Sequence, residues 1–363
     1  MRVAAYFILR GTAFSYPRKE QIIVPRIVRF HELGDADVLK LEDVSLPHPG
    51  RGEVRLRVDA LGLNRAEVMF RQGRYIEQPD LPSLLGYEAS GIVAAVGEGV
   101  FEIRVGERVS TIPSFSMRQY GVYGETAIVP AHAAVRYPPN LSPVEGAAIW
   151  MQYLTPYFAL HDLGHLQAGQ HVLITAASSS VGIATIHLAK AMGAVAIATI
   201  RSVDKQQGPK DAGADHVIIS DREDVAGRVG EITRGKGAEV IFDAVAGPAF
   251  EKLGDAAASG GSIIVYGMLS SGPTVFPLIP ALVKNLHIHG YTLFNFTGNP
   301  MQGLPGNPEA RTRAVQYLYD ALQAERLKPQ IDRVFPSLDQ IQDAHRYMES
   351  GQQSGKIVVT VRQ

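Results

Sequence analysis

The sequence predicts an α/β protein that combines a doubly wound parallel sheet with a second, β-rich domain. In the central part of the chain, short apolar strands alternate with helical segments, and the strands read "HVLI", "VAIATIR", "HVIIS", "EVIFDAV" and "SIIVYG". Strands that alternate with helices of this kind indicate βαβ units and a parallel sheet. The unbroken apolar runs are typical of strands buried on both faces of the sheet.

The flanking parts of the chain have a different pattern. Residues 26–150 contain short β-rich runs, such as "RIVRF", "GEVRLRVDALGL" and "ASGIVAAV", separated by turn sequences such as "LPHPGRG". Near the C-terminus, two amphipathic helices precede a closing strand, "GKIVVTV". We therefore predict a discontinuous β-rich domain from residues 26–150 and 300–363, with the parallel-sheet domain over residues 151–299.

Composition excludes several classes of site. The chain of 363 residues is 46% hydrophobic and 20% charged, which is ordinary for a globular protein. It has no cysteine, so disulfides, thiolate nucleophiles and thiolate zinc sites are excluded. Its net charge of −1 provides no overall basic field for nucleic acid, and no apolar run approaches the length of a membrane span.

Residues 1–25 are predicted to be an N-terminal extension outside the two domains. They carry four basic residues against one acid, Glu20, and include the short apolar run "VAAYFIL". A poorly ordered arm, a targeting segment and an early start codon remain alternative interpretations.

The stretch "TAASSSVGIATIHL", which follows the strand "HVLI", resembles a phosphate-binding turn. Ala177 and Ser179 stand where the G-x-G-x-x-G pattern has its first two glycines, and Gly182 matches the third. Small side chains permit a close approach of phosphate, and serine hydroxyls can donate to it at the helix N-terminus. The predicted cofactor contacts in this turn are Ser178, Ser179, Ser180, Val181 and Gly182. A simple N-terminal serine cap is the alternative explanation.

The end of the second strand favours NADP(H) over NAD(H). Nucleotide-binding folds that prefer NAD place an acid about twenty residues after the turn, where it binds the ribose. Here the strand ends at Arg201, followed by Ser202 and Lys205, and these cations suit a 2′-phosphate. The alternative is that Arg201 is a solvated charge at a strand end.

Residues 26–363 resemble the medium-chain dehydrogenase/reductase superfamily, in its zinc-independent quinone oxidoreductase branch. The stretches that carry the resemblance include "PGRGEVRLRVDALGLNRAEVMFRQGRY", "LGYEASGIVAAVGEGVFEIRVGERV", "AASSSVGIATIHLAKAMGA" and "GKIVVTV". The resemblance implies a GroES-like β domain built from both chain ends, a Rossmann domain between them, and a homodimer or homotetramer.

The resemblance also indicates that the chain holds no catalytic zinc. The ligand positions of the related alcohol dehydrogenases match Asn64, Tyr87 and the segment 150–152 here, and none of these provides a thiolate or an imidazole. The resemblance places Asn64 and Tyr75 near the acceptor and Thr155 near the nicotinamide. Met69 stands where the family often has a tyrosine, so Tyr87 becomes an alternative proton donor, unless it is simply a packed tyrosine. The further cofactor contacts that the resemblance implies are Gly267, Met268, Leu269, Thr292, Leu293 and Lys356.

These observations predict a cytosolic, NADPH-dependent reductase that acts on a quinone or on an alkene conjugated with a carbonyl. The Gly- and Pro-rich segment "FNFTGNPMQGLPGNPEA" is predicted to form a mobile rim over the acceptor. One alternative is reversible alcohol oxidation, and another is a non-catalytic NADPH-binding protein with a structural or RNA-binding role. The near-neutral charge disfavours nucleic acid as the main partner.

Overall fold

The structure, a computed structural model, describes residues 24–361. The predicted N-terminal extension therefore lies outside the described residues, except for Val24 and Pro25. The described chain forms fifteen strands, grouped in two large sheets and one two-stranded ribbon, together with eleven α-helices.

The strands are β1 (Arg26–Arg29), β2 (Lys40–Asp43), β3 (Glu53–Gly62), β4 (Glu88–Val96), β5 (Arg108–Thr111), β6 (Thr126–Pro130), β7 (Ala134–Arg136), β8 (His171–Ile174), β9 (Val195–Ile200), β10 (His216–Ile219), β11 (Ala238–Asp243), β12 (Ala257–Val265), β13 (His287–Gly290), β14 (Ile331–Phe335) and β15 (Lys356–Thr360). The helices are α1 (Arg65–Arg71), α2 (Pro143–Gly146), α3 (Trp150–Phe158), α4 (Ser180–Ala191), α5 (Gln207–Asp211), α6 (Val225–Ile232), α7 (Phe250–Ala256), α8 (Leu278–Lys284), α9 (Phe294–Thr297), α10 (Pro308–Gln323) and α11 (Ile341–Ser350).

The central strands form a six-stranded, fully parallel sheet with the order β10-β9-β8-β11-β12-β13. Alternate residues of β8 enter cores on opposite faces, because Val172 and Ile174 belong to one hydrophobic cluster and Leu173 to another. The direction of strand addition reverses between β8 and β11. In sheets of this type, ligands bind outside the carboxyl ends of the strands at such a point.

The second large sheet has seven strands and combines strands from the N-terminal part of the described chain with its last two strands, β14 and β15. Its order is β14-β15-β3-β4-β5-β7, with β6 paired to β3. The closing strand β15 runs antiparallel to β3, with Val358 opposite Gly62 and Val359 opposite Leu61. The predicted combination of a parallel α/β sheet and a β-rich domain is confirmed.

The helical segment over residues 143–163 is divided into separate elements. Ser142 and Glu145 form a capping box at the start of α2, and α3 begins only at Trp150. Pro156 lies inside α3, and a π-helical turn, Ala159–Leu163, follows it. Within residues 24–361, no helix combines the length and apolar character that crossing a membrane would require.

Candidate functional site

A cleft of about 910 Å³ opens at the carboxyl ends of β8, β9 and β11, where the strand order reverses. One wall comes from the parallel-sheet domain and includes Thr175, Ser178 and Arg201. The facing wall comes from the β-rich domain and includes Arg65 and Met69 of α1. The cleft therefore lies between the two domains, at the position where the topology predicts a nucleotide.

The turn after β8 has the close packing that its single glycine suggests. A Cβ atom at Gly182 would lie 2.6 Å from Ala177 Cα, so only glycine lets α4 approach the strand end this closely. Ser179 caps α4, because its Oγ accepts a hydrogen bond from Gly182 N at 3.0 Å. Ser178 and Ser179 line the cleft, whereas Ser180 and Val181 are half-buried in the first turn of α4 and do not line it.

Asp243, which sequence reasoning missed, organises the loop next to this turn. Its Oδ1 accepts hydrogen bonds from Thr175 Oγ1 at 2.6 Å and from Val245 N at 3.1 Å, and its Oδ2 accepts from Ala246 N at 2.7 Å. Asp243 is buried and ends β11, beside β8 at the reversal of strand order. An acid at the end of an apolar strand in "VIFDAV" was the available signal.

The loops after β8 and β11 also contain two strained alanines. Ala176 has a φ of 47° and Ala246 a φ of 55°, a left-handed conformation that disfavours residues other than glycine. Both alanines line the cleft. Backbone strain of this kind is often found at ligand-binding sites.

Cations gather on both walls of the cleft near the end of β9. Arg201, Ser202 and Lys205 line it as predicted, and Arg65 and Arg74 line it from the β-rich domain. Burial lowers the pKa of Lys205, and the nearby charges of Arg201 and Arg65 lower it further. The Lys205 ammonium also donates to the Gly351 carbonyl. The only sequence signal for Arg65 is its place directly after Asn64.

Carboxylates after β10 line the same cleft, but two of them have local roles. Glu223 pairs with Arg228 at 3.1 Å, and Asp224 caps α6 by accepting from Gly227 N. Arg65 and Arg201 form no ion pair with any acid among residues 24–361. A close-packed turn beside cations of this kind fits a phosphate-bearing cofactor.

A second group of polar side chains is buried beneath α1, between β3, β4 and β15. Lys356 Nζ donates to Asn64 Oδ1 at 2.6 Å and also to Glu88 Oε2. Asn64 Nδ2 lies 3.2 Å from both Glu67 Oε1 and Glu88 Oε2. We call these four residues, Asn64, Glu67, Glu88 and Lys356, the buried polar cluster.

The structure differs from the prediction at Lys356. Its side chain is fully buried and does not line the cleft, and Glu88 compensates its charge. An ammonium that is desolvated and already paired in this way is not free to bind a cofactor phosphate. Lys356 instead orients Asn64.

Burial raises the pKa of Glu67 to about 7, although Lys356 and the hydrogen bond from Asn64 act in the opposite direction. Glu67 Oε2 accepts from Asn64 N at 2.7 Å, and its Oε1 accepts from Tyr87 N at 3.1 Å. The carboxyl group that caps α1 therefore has a pKa well above that of an exposed glutamate.

Tyr75 and Tyr87 lie next to each other on the β-rich side, with ring centroids 6.4 Å apart. Tyr87 is fully buried, packs against Phe115 and Phe294, and donates its hydroxyl to Glu77 at 3.0 Å. This is the geometry of a packed tyrosine. Burial raises the pKa of both phenols, so both remain protonated at neutral pH.

The remaining predicted residues divide into two groups. Met268 and Leu269 line the cleft, and Gly267 precedes them at a point where a Cβ would lie 2.6 Å from Ala244 O. Thr155, Thr292 and Leu293 do not line it. Thr155 Oγ1 donates within α3 to Met151 O at 2.5 Å.

The segment predicted as a mobile rim is packed against the protein over much of its length. Phe294 contacts Tyr87, and the Phe296 ring stacks on Phe158 at 4.3 Å. The segment also borders a second cavity of about 420 Å³, which it shares with His132 and Arg311.

No three His, Cys, Asp or Glu side chains are grouped as a metal site within the part of the chain that the structure describes. The positions that match zinc ligands in related enzymes are engaged otherwise. Asn64 belongs to the buried polar cluster, Tyr87 contacts Glu77, and Gln152 donates to the Ala148 carbonyl.

Two family models match the chain. "Alcohol dehydrogenase GroES-like domain" matches residues 50–139, and "Zinc-binding dehydrogenase" matches residues 180–303. The second match includes neither Asn64 nor Tyr87, so its description carries no information about these two positions.

Curated relatives match over nearly the whole chain. The rat synaptic vesicle membrane protein VAT-1 homolog is 31% identical, over 90% of this chain and 81% of its own length. The 2-haloacrylate reductase of a Burkholderia species is 30% identical over 91% and 97% of the two chains. The quinone oxidoreductase of Lama guanicoe is 30% identical over 93% and 98%.

Solved structures of related enzymes superpose on nearly the whole chain. Escherichia coli quinone oxidoreductase complexed with NADPH superposes with a TM-score of 0.82 at 28% identity, over 92% of this chain and 99% of that one. An NAD-dependent alcohol dehydrogenase gives a TM-score of 0.83 at 31% identity, over 93% and 99%. The GroES-like and Rossmann domains expected from the resemblance are thus both present. The chain belongs to the medium-chain dehydrogenase/reductase superfamily, in its quinone oxidoreductase-like branch.

Proposed function

We propose that this chain is an NADPH-dependent oxidoreductase that reduces a quinone or an α,β-unsaturated carbonyl compound without a metal. The observation that carries the proposal is the interdomain cleft, in which Arg65, Arg201 and Lys205 lie beside the turn capped by Ser179. These cations favour a cofactor with an additional phosphate, because the 2′-phosphate of NADPH would add an anionic partner that NAD(H) does not offer.

The acceptor class is supported by chemistry and by the relatives. Quinones and 2-haloacrylates both contain an alkene conjugated with a carbonyl group, and relatives named for each of them match this chain. Bound NADPH would supply a hydride to this conjugated system, and one proton completes the two-electron reduction. The enzyme's remaining task is to orient the acceptor and to stabilise charge that develops on its oxygen.

The side chains near the cleft suit that task. Tyr75 follows Arg74, which lines the cleft, and its raised pKa keeps the phenol a neutral hydrogen-bond donor. The buried polar cluster holds the amide of Asn64 in one orientation. Met69 contributes an apolar wall where the related enzymes often have a tyrosine. We propose that Asn64, Tyr75 and Thr155 position the acceptor and the nicotinamide from behind the cleft wall, since none of the three lines the cleft itself.

We further propose a cytosolic homodimer, with a homotetramer as the alternative assembly. Helix α8 exposes four large apolar side chains, Leu278, Ile279, Leu282 and Val283. It packs against β12 and α7, and it is followed in the chain by the edge strand β13, which pairs only with β12 among the described strands. An apolar face next to an open sheet edge suits a second copy of the same chain.

The proposal is tested by following NADPH and NADH absorbance with a panel of acceptors: benzoquinone, phenanthrenequinone, an enone, an enoyl thioester and a 2-haloacrylate. We expect rapid loss of NADPH, slower loss of NADH, and no effect of EDTA. Binding of NADPH without turnover of any acceptor would instead support the non-catalytic alternative.

Alcohol oxidation is the second candidate, because an NAD-dependent alcohol dehydrogenase is among the similar structures. It is tested with simple alcohols and NADP⁺ or NAD⁺. Activity that requires a dialysable metal would support this candidate and contradict the metal-free proposal.

A further inference from the structure

Arg65 is a half-buried cation without an acidic partner among the described residues. It is the first residue of α1, it is half-buried, and burial lowers the pKa of its guanidinium. Among residues 24–361 it forms no ion pair. Desolvating a cation without a partner is unfavourable, so such a residue is best explained by an anion that it binds.

The position of Arg65 indicates which anion this is. It lines the cleft from the β-rich domain, while Arg201, Ser202 and Lys205 line it from the parallel-sheet domain. Its charge lies close enough to Lys205 to oppose protonation of that ammonium. The cations of the two domains therefore line a common space and repel each other, and Asp204 and Asp332 offset this repulsion only in part, because the pKa of Lys205 remains lowered.

The local structure holds Arg65 in place. Asn64 N donates to Glu67 Oε2 at 2.7 Å, which caps α1, and Asn64 is itself held by Lys356. The backbone next to Arg65 is thus anchored in the buried polar cluster. A guanidinium presented from a rigid element loses little conformational freedom when it binds a phosphate.

We infer that Arg65 binds the 2′-phosphate of NADPH from across the cleft, so that this phosphate links the β-rich domain to the Rossmann domain. The inference rests on the proposed preference for NADPH and adds a specificity residue from the opposite domain. NADH lacks the phosphate and would leave Arg65 and Arg201 without an anionic partner, whereas Asp204 and Asp332 already lie close enough to act on Lys205. Cofactor selectivity and the approach of the two domains then depend on the same contact.

The test is calorimetric titration of the full chain and its variants with NADPH, NADH, 2′,5′-ADP and 5′-AMP. We expect R65A to weaken binding of NADPH and 2′,5′-ADP about tenfold or more, and to leave NADH and 5′-AMP nearly unchanged. R65K should lose less NADPH affinity than R65A, because lysine keeps the positive charge, although it lacks the planar fork of the guanidinium. R57A, which removes an exposed arginine of β3 that does not line the cleft, is the matched control and should bind all four ligands normally.

Thermal unfolding without ligand separates this role from a structural one. R65A should melt at or above the wild-type temperature, because it removes an uncompensated charge. In the R65A/R201A double variant, the loss of NADPH-binding free energy should be smaller than the sum of the two single losses, since both arginines act on one phosphate.

Two outcomes would overturn the inference while the NADPH preference stands. One is that R201A selectively weakens NADPH binding whereas R65A leaves the binding of all four ligands unchanged. The other is that R65A weakens NADPH and NADH equally, which would assign Arg65 to the pyrophosphate. If the wild-type chain binds 2′,5′-ADP no more tightly than 5′-AMP, the proposed NADPH preference fails as well.

Discussion

Glu67 shows how strongly burial can change the pKa of a single side chain. It is fully buried, and burial raises its pKa from the ordinary 4.5 to about 7. The buried polar cluster contains two carboxyl groups and one ammonium group, so the cluster is electrically neutral when Glu67 carries a proton. The same carboxyl group caps α1 and so supports both Asn64 and Arg65.

Glu67 should therefore make stability depend on pH. The pKa of Glu67 in the folded protein lies above the ordinary value, so the folded chain holds a proton on Glu67 that the unfolded chain releases above pH 4.5. The contribution of this proton to stability is complete below pH 4.5. That stability is lost as the pH rises through about 7. Glu67→Gln cannot ionise, so between about pH 5 and pH 8 the wild-type chain should lose about 3 kcal/mol relative to the variant.

Urea unfolding across this pH range measures the difference. The amide that replaces the carboxyl group in Glu67→Gln has only one acceptor oxygen, so the variant carries a constant penalty. The informative quantity is therefore the change with pH in the stability difference between the two proteins. Glu145→Gln, in the capping box of α2, is the control, for which we expect no such change. Parallel stability curves for wild type and Glu67→Gln would contradict the assignment.

Arg201 carries the second prediction at the residue scale. Arg201→Ala should weaken NADPH roughly tenfold to a hundredfold and NADH little, because only NADPH carries the 2′-phosphate. Fluorescence titration with both cofactors measures this. Arg222→Ala removes an exposed arginine after the neighbouring strand β10 that does not line the cleft, and it should bind both cofactors as the wild type does. Equal weakening of both cofactors by Arg201→Ala would refute this assignment.

At the scale of elements, the site depends on how closely α4 approaches β8. The turn between them brings Ser178 and Ser179 to the cleft and also contacts the C-terminal segment, where Gly355 N donates to Ser178 O at 3.1 Å. This contact joins the turn after β8 to the β-rich domain. The geometry of the turn thus influences both the cofactor site and the packing of the domains.

Gly182→Ala tests this close approach. The added Cβ would lie 2.6 Å from Ala177 Cα, so the helix must shift, at a cost of about 1–3 kcal/mol in the free energy of unfolding, with weaker NADPH binding. Gly230→Ala in α6 is the matched control, because no atom lies within 4 Å of its added Cβ, and it should stabilise the chain by about 0.5–1 kcal/mol. Equal stabilities for the two variants would show that α4 can move away freely.

For the whole molecule, the most prominent unexplained surface is α8. Val283 is 79% exposed and Leu282 is 70% exposed, beside the open edge of the parallel sheet at β13. If this face joins two copies, the four apolar side chains of α8 become buried between them.

Leu282→Glu should therefore convert the assembly to a single chain, because the charge would be buried without a partner. Light scattering after size-exclusion chromatography measures the mass. Phe101→Glu makes the same change at a residue that is 87% exposed in the β-rich domain, and it should leave the mass unaltered. A monomeric wild-type chain, or equal dissociation by both variants, would exclude α8 as the interface.

The sequence by itself determined the parts of this protein that depend on local pattern. Apolar strands alternating with helices predicted the parallel sheet, which is confirmed. The stretch "TAASSSVGIATIHL" and Arg201 were predicted to bind phosphate, and Ser178, Ser179 and Arg201 line one cleft. These features lie within one βαβ unit, in which chain geometry keeps a strand end, a helix start and the next strand end together.

Only the tertiary structure decided which distant residues meet. Lys356 and Glu88 are 268 positions apart, and their pairing follows from the register of β15 on β3 and of β3 on β4. The same packing placed Arg65 across the cleft from Arg201. Burial then altered the chemistry of these side chains, because the pKa of Glu67 and the uncompensated charge of Arg65 reflect desolvation that no local pattern in the sequence specifies.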